Sequence, residues 1–194
     1  MPLRVRLAAS LLALATSACV GMPPGAQSAE RFFASLQAHC GKAFEGRLAA
    51  SNAADADMAG KRLTIHVAQC TAEEVRIPFQ VGEDRSRTWI VTRTGRGLRL
   101  EHDHRHADGS PDALTMYGGD SLAPGTAERQ AFPADARSIA MFTAQNRSVS
   151  NANVWALELR DRTFAYELRR PPGPGERHFR VEFDLARPIP APSR

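Results

Sequence analysis

Hydrophobic and polar residues alternate with a period of two along several stretches of the chain. Leu63, Ile65 and Val67 alternate with Arg62, Thr64, His66 and Ala68, and Phe179, Val181, Phe183 and Leu185 alternate with Arg180, Glu182 and Asp184. A period of two sends one set of side chains to a core and the other to solvent, so each stretch predicts a half-buried strand. Val75, Ile77 and Phe79 repeat the pattern, with Pro78 marking an edge strand or a bulge. Residues 88–92 form a β-branched run, and Leu98, Leu100, His102 and His104 share one face of a further alternating segment. Trp155, Leu157 and Leu159, then Phe164, Tyr166 and Leu168, alternate in the same way. Glycines at 95 and 97, Gly109-Ser110-Pro111 and the Pro/Gly cluster at 171–175 punctuate these segments as turns.

Helical spacing is confined to two places. Phe32, Phe33, Leu36 and Cys40 recur on one side of a predicted helix over residues 29–40, with Ser28 as its cap and Gly41 as its stop. Ile139, Ala140 and Phe142 mark a second over residues 134–146. The alanine-rich run at 49–57 reads as a surface loop. Strands do not alternate regularly with helices, so a parallel sheet is not expected. The expected fold is mainly β, with about eight or nine antiparallel strands and one or two short helices. It is an up-and-down barrel of the lipocalin or calycin type, or alternatively a β-sandwich. The folded domain covers residues 29–187, and the proline-rich residues 188–194 read as a frayed tail.

The N-terminus has a different character. Arg4 and Arg6 precede an apolar run from Leu7 to Ala15, about half the roughly 20 residues that a spanning helix requires. A positive start, a short apolar run and small residues at the end make residues 1–18 an export signal. It closes in Thr16-Ser17-Ala18-Cys19, which resembles the lipobox of bacterial lipoproteins, with Thr16 where that family usually carries leucine. The resemblance implies lipidation of Cys19 and cleavage before it. The alternative is an ordinary signal-peptidase cut after Ala15 or Ala18. Residues 19–28 would then be a tether. Val20 after the cysteine implies, by that family's sorting rule, an outer-membrane destination with the domain facing the periplasm.

Cysteine parity follows from this. The chain has three cysteines; lipidation of Cys19 leaves Cys40 and Cys70, which an oxidising compartment would pair. Such a disulfide contributes about 3–4 kcal/mol in the chain-entropy picture. Charge changes the picture less. The formal net charge is +4, and two of those cations belong to the leader. The near-neutral remainder argues against a nucleic-acid partner.

Candidate chemistry concentrates in Glu101-His-Asp-His-Arg-His-Ala-Asp. On an extended strand, His102, His104 and His106 project from one side at about 7 Å spacing, with Asp103 and Arg105 on the other. Two such imidazoles can converge on a divalent transition metal such as zinc, with His106 or Asp108 completing the set. The string departs from the HxHxDH of metallo-β-lactamase-like hydrolases, and it lacks the glutamate that follows HxH in cupins. Arg85 and Arg87 suit carboxylate or phosphate recognition, or alternatively form intramolecular Arg–Asp pairs in a turn. Trp89 and Tyr117 add aromatic surface, and Gly118 and Gly119 permit close approach of a ligand or mark a turn. No nucleophile or phosphate-loop motif is present. Three strings, Asp84-Arg-Ser-Arg-Thr-Trp, His102-Asp-His-Arg-His and Phe179-Arg-Val-Glu-Phe-Asp, resemble exported bacterial proteins without assigned activity, which implies export and a β fold but no chemistry. Two functions are expected from different classes. The first is a non-catalytic envelope lipoprotein binding a small ligand or an envelope protein. The second is a metal-dependent enzyme or metal-binding protein built on the histidines.

Overall fold

The structure is a computed structural model that describes residues 24–121 and 125–192. The signal over 1–18 and the lipidation site Cys19 lie outside the described residues. Helix α1 spans Pro24–Gln37. Strands follow at β1 (Ala43–Ala50), β2 (Leu63–His66), β3 (Gln69–Cys70), β4 (Glu74–Val81), β5 (Asp84–Thr94), β6 (Gly97–His104), β7 (Tyr117–Asp120) and β8 (Arg129–Pro133). Helix α2 (Ala136–Ala144) leads to β9 (Val154–Arg160), β10 (Thr163–Arg170) and β11 (Arg177–Ile189). Short 3-10 turns lie at Ala53–Met58 and Ser148–Ala152.

All the strand pairs are antiparallel, and the sheet order is β7-β6-β5-β4-β2-β1-β11-β10-β9-β8, with β3 pairing to β4 beside β2. This is a meander bent round on itself. Its first strand meets its last, with Ala43 opposite Ile189 and Arg47 opposite Glu182. The result is a nearly closed barrel. Its interior is filled by the inward positions of the alternating segments, including Phe44, Ile77, Leu100, Phe132, Leu157, Phe164 and Phe183.

The seam lies between β7 and β8, and Ser138 of α2 bridges it. The Gly118 N–H donates to Ser138 Oγ at 2.8 Å, and that hydroxyl donates back to the Gly118 carbonyl at 3.0 Å. The Asp135 N–H donates to the same carbonyl at 2.9 Å. Asp135 also caps α2 by accepting from the Ser138 N–H at 2.7 Å. One side chain thus replaces a strand partner, which removes most of the exposed-edge liability of an open sheet.

Helix α1 plugs one end. Ala29, Phe32, Phe33 and Leu36 are buried against β6, β8 and β9. Full burial of each large side chain contributes about 1.5–3 kcal/mol. Arg93 fixes the helix from outside, with its guanidinium 4.5 Å from the centre of the Phe33 ring and 3.0 Å from Glu30. The Cys40–Cys70 disulfide ties the end of α1 to β3. It closes a separation of 30 residues. Replacing both cysteines by serine should lower stability by about 3 kcal/mol, read as a shifted urea midpoint with an unchanged fold by circular dichroism.

The outer face is charged. On β8 to β11, Arg129 lies 3.2 Å from Glu158 and 2.8 Å from Glu167, and Arg180 lies 3.1 Å from Glu158 and 2.9 Å from Glu182. Apolar residues inside and ion pairs outside are the reverse of a membrane-spanning barrel, whose outward band is apolar. Among the described residues no helix is long and apolar enough to cross a membrane.

Several sequence expectations change. The helix begins at Pro24 and takes up the second half of the 19–28 tether, because proline suits a first helical position. Ser28 therefore lies inside the helix, donating to the Pro24 carbonyl at 3.2 Å. It does not cap the helix. Pro78 is not on an edge: β4 lies between β2 and β5. It sits opposite the gap between the β2 ladder, which stops at Ile65 facing Phe79, and the β3 ladder, which starts at Gln69 facing Arg76. The expected tail is also shorter, since Pro188 and Ile189 pair with Phe44 and Ala43.

Candidate functional site

The end of the barrel opposite α1 holds a cavity of about 560 Å³. Five elements build its floor. Trp89 comes from β5, His102 and His104 from β6, Tyr117 from the start of β7, Trp155 from β9, and Tyr166 from β10. Phe142 of α2 and Arg147, Ser150 and Asn153 from the connection into β9 form one wall, and Arg87 and Arg177 form part of the rim. Both tryptophans of the chain line this one space.

The strand period explains the histidines. Leu98 and Leu100 are fully buried on the inward face of β6, and His102 follows on the same face at 2% exposure. The core thus gives way to the cavity two residues at a time. Asp103 and Arg105 face the other way and pair at 3.0 Å.

The rings are layered. The Trp89 ring stacks on Tyr166 at 4.2 Å with 5° between planes and on Phe79 at 4.8 Å. His102 stacks on Tyr117 at 4.8 Å and lies 4.9 Å from Trp155. Offset aromatic pairs of this kind contribute about 0.5–1.5 kcal/mol each beyond area burial.

Hydrogen bonding fixes the polarity of the buried groups. His102 Nδ1 lies 3.1 Å from the Tyr117 carbonyl, and its Nε2 lies 2.9 Å from the Tyr166 hydroxyl. Burial pushes the His102 pKa down to about 3, so the ring is neutral near pH 7. A carbonyl only accepts, so Nδ1 carries the proton and Nε2 accepts. The Tyr166 hydroxyl must therefore donate to His102. Its single proton is committed, and its oxygen offers only lone pairs to other groups. Burial holds the Tyr166 pKa well above that of an ordinary tyrosine. The Tyr117 hydroxyl lies 3.1 Å from His104 Nε2, with its pKa raised to about 12 by burial. Burial, then the neighbouring Arg87 cation, lowers the His104 pKa.

The cations divide into two kinds. Arg87 pairs with Asp84, and Arg177 pairs with the fully buried Asp55 from the first 3-10 turn. Arg147 is exposed at the rim and has no ion-pair partner among the described residues. Two buried polar atoms of the lining residues, Asn153 Oδ1 and Arg177 Nε, have no hydrogen-bond partner among the described residues.

The sequence-predicted residues are partly gathered here. Arg87, Trp89, Tyr117, His102 and His104 line the cavity. His106 and Asp108 do not, because β6 ends at His104 and an exposed turn follows, in which Asp108 accepts from the Ser110 N–H at 2.9 Å. A zinc set of His102, His104, His106 and Asp108 is therefore not assembled. Both nitrogens of His102 are already engaged, and among the described residues no three His, Cys, Asp or Glu side chains cluster around a common point. Arg85 lies outside the cavity, in a groove of the outer face with Thr64, Gln80 and Pro192. The β4–β5 register shifts between the Phe79–Arg87 and Val81–Asp84 pairs. The extra residue in β5 breaks the period and turns Arg85 away from Arg87.

Gly118 and Gly119 serve the protein's own backbone. A Cβ on Gly118 would stand 1.7 Å from the Leu100 carbonyl oxygen, and one on Gly119 would stand 1.8 Å from that of Pro133. Trp155, Tyr166, Asn153 and Arg177 were not singled out from the sequence as site residues. The one signal that could have found them was the inward parity of β9, β10 and β11. Comparison with family models, with curated proteins and with solved structures finds no match to this chain.

Proposed function

We propose that the protein is an exported envelope lipoprotein, held to the outer membrane through Cys19, whose barrel binds a small ligand at its open end. The observation that carries the binding reading is the cavity itself. Its volume of about 560 Å³ lies in the range of small-molecule sites. Its lining sets buried rings beside arginines, histidines and an amide, and the surface it exposes is more polar than apolar. The reading is of a binder rather than a catalyst. A general acid or base works best with a pKa near the operating pH, whereas His102 is held near 3 with both nitrogens occupied. The leader, the lipobox-like Thr16-Ser17-Ala18-Cys19 and the disulfide support export.

Titration with 1-aminoanthracene, an apolar fluorescent reporter, tests the binding reading. The dye should bind with saturable energy transfer from the tryptophans. Ser150→Trp, which fills the mouth, should weaken binding at least about tenfold. Undiminished dye binding by that variant, or none by the wild type, would contradict it. Mass spectrometry of the mature N-terminus tests the anchor. A diacylglyceryl group on Cys19, with Cys19→Ala released from the membrane fraction, is expected. An unmodified N-terminus after Ala15 or Ala18 would refute it.

A further inference from the structure

Residues 51–62 join β1 to β2, where antiparallel neighbours usually need about two to five residues. Among them only Asp55 is buried and Met58 half-buried. Met58 lines the cavity. Asp55 pairs with Arg177, and Asn52 Oδ1 accepts from the His178 N–H at 2.8 Å. The segment is thus a strap at the mouth, pinned mainly by one carboxylate. Arg170 stands directly opposite Arg177 in the β10–β11 ladder, and both continue the faces that carry the buried Leu168 and Phe179. Like charges placed opposite each other repel. Arg170 has no ion pair among the described residues. Burial, then the Arg177 cation, lowers its pKa, and Asp55 opposes both. Two guanidiniums therefore share a single carboxylate. An arginine fork matches the oxygens of carboxylates and phosphates. Arg177 also lines the cavity, so one side chain both holds the strap and faces the binding space.

We propose that Arg170 and Arg177 form an oxyanion site at the cavity mouth, with Asp55 as its resident stand-in and residues 51–62 as the gate it pins. An incoming carboxylate or phosphate group that takes the place of Asp55 keeps the two cations neutralised and frees the strap. Apart from Asp55 and Met58 the strap buries nothing, and segments with so few buried contacts open at low cost. The gate rests on the binding reading above and adds an acidic group to the ligand. The oxyanion site stands on the arginine pair alone.

Asp55→Ala empties the site, and small oxyanions should then restore stability. Its urea midpoint should rise saturably with sodium acetate or inorganic phosphate, at ionic strength held constant with sodium chloride. Tenfold excess over the dissociation constant should raise the folded-to-unfolded ratio about tenfold. The stronger of the two anions identifies the acidic group of the ligand. Wild type, with Asp55 in place, should show no saturable rise, and neither should Asp55→Ala combined with Arg170→Gln. No rise in Asp55→Ala, an equal rise in wild type, or a rise that survives Arg170→Gln would overturn the oxyanion site. Asp55→Asn keeps an acceptor for the Asn52 N–H and takes the same titration, with the same expectation, should Asp55→Ala fail to fold. It also tests the gate. Stopped-flow mixing with 1-aminoanthracene should show association at least about tenfold faster than with wild type, since no opening step precedes entry. Dye binding at an unchanged rate would overturn the gate and leave the cavity reading standing. If the dye binds neither protein, the cavity reading and the gate fall together, and oxyanion rescue alone decides the site.

Discussion

Gly118→Ala is expected to lower stability by at least about 4 kcal/mol, the upper end of single-residue effects. The added methyl would lie 1.7 Å from the Leu100 carbonyl oxygen. That oxygen belongs to backbone inside the β6 ladder, so no side-chain rotation relieves the overlap. Either β7 separates from β6 or Gly118 leaves its contacts with Ser138 and Asp135. The first breaks the β6–β7 ladder, and the second opens the β7–β8 seam, which among the described residues has no strand ladder. Hydrogen exchange gives the more specific readout. The amides of Gly118 and Asp135 should lose protection before those of β9 to β11 in the variant. Gly95→Ala is the control. No atom lies within 4 Å of its added Cβ, and its effect should stay within about 0.5 kcal/mol. A Gly118→Ala protein as stable as wild type would mean that the seam is not closed in this way.

The second large effect is a dependence of stability on pH, centred on His102. Its folded pKa is about 3 against an ordinary value of 6.5. A depressed histidine pKa means that the unfolded chain takes up the proton more readily than the folded one. Its contribution is therefore fully present above about pH 6.5 and is lost as pH falls from there toward 3. The loss approaches 1.36 kcal/mol per pH unit, about 2 kcal/mol by pH 5 and 4–5 kcal/mol by pH 3. Burial shifts His104 in the same direction. Carboxylates add to this in more acid solution. Against the desolvation of partial burial, arginine hydrogen bonds and charge hold down the pKa values of Glu158 and Glu167, and hydrogen bonds from Ser138, then Arg99, hold down that of Asp135. Their contribution is present above the ordinary carboxylate range and is lost below it. His102→Gln isolates the imidazole, since a glutamine amide can still donate to the Tyr117 carbonyl and accept from Tyr166. Urea unfolding at pH 7 and pH 5 should show wild type losing about 2 kcal/mol more than the variant. Equal losses would place the imidazole in contact with water.

How much of this was visible in the residues depends on what each strand contributes. Segments with large apolar residues at every second position, such as Val75–Phe79 and Phe179–Phe183, announce themselves because burial on one face requires that period. β1 was hidden because its last residues, Leu48, Ala49 and Ala50, alternate little in size, and the alanines read as loop. β7 was hidden for another reason. Its Gly118 and Gly119 look like a flexible turn, yet they are needed because backbone passes where a side chain would be. The inward histidine face was legible from Leu98 and Leu100. Its partners were not, because Tyr166 is 64 residues further along and meets His102 only when the barrel closes. The Asp55–Arg177 pair spans 122 residues and leaves no local trace at all. Arg85 was misplaced because a single bulge inverts parity, and nothing in the local residue types marks that bulge.

Nuclear magnetic resonance of the indole N–H groups locates binding, because the chain has two tryptophans, both lining the cavity, and so two such signals. Saturating 1-aminoanthracene should shift both signals in the wild type, and neither signal in a mouth-blocked Ser150→Phe variant. Shifts confined to amides around Thr64, Gln80 and Arg85, with both indoles unmoved, would place binding in the outer groove and not in the barrel's open end.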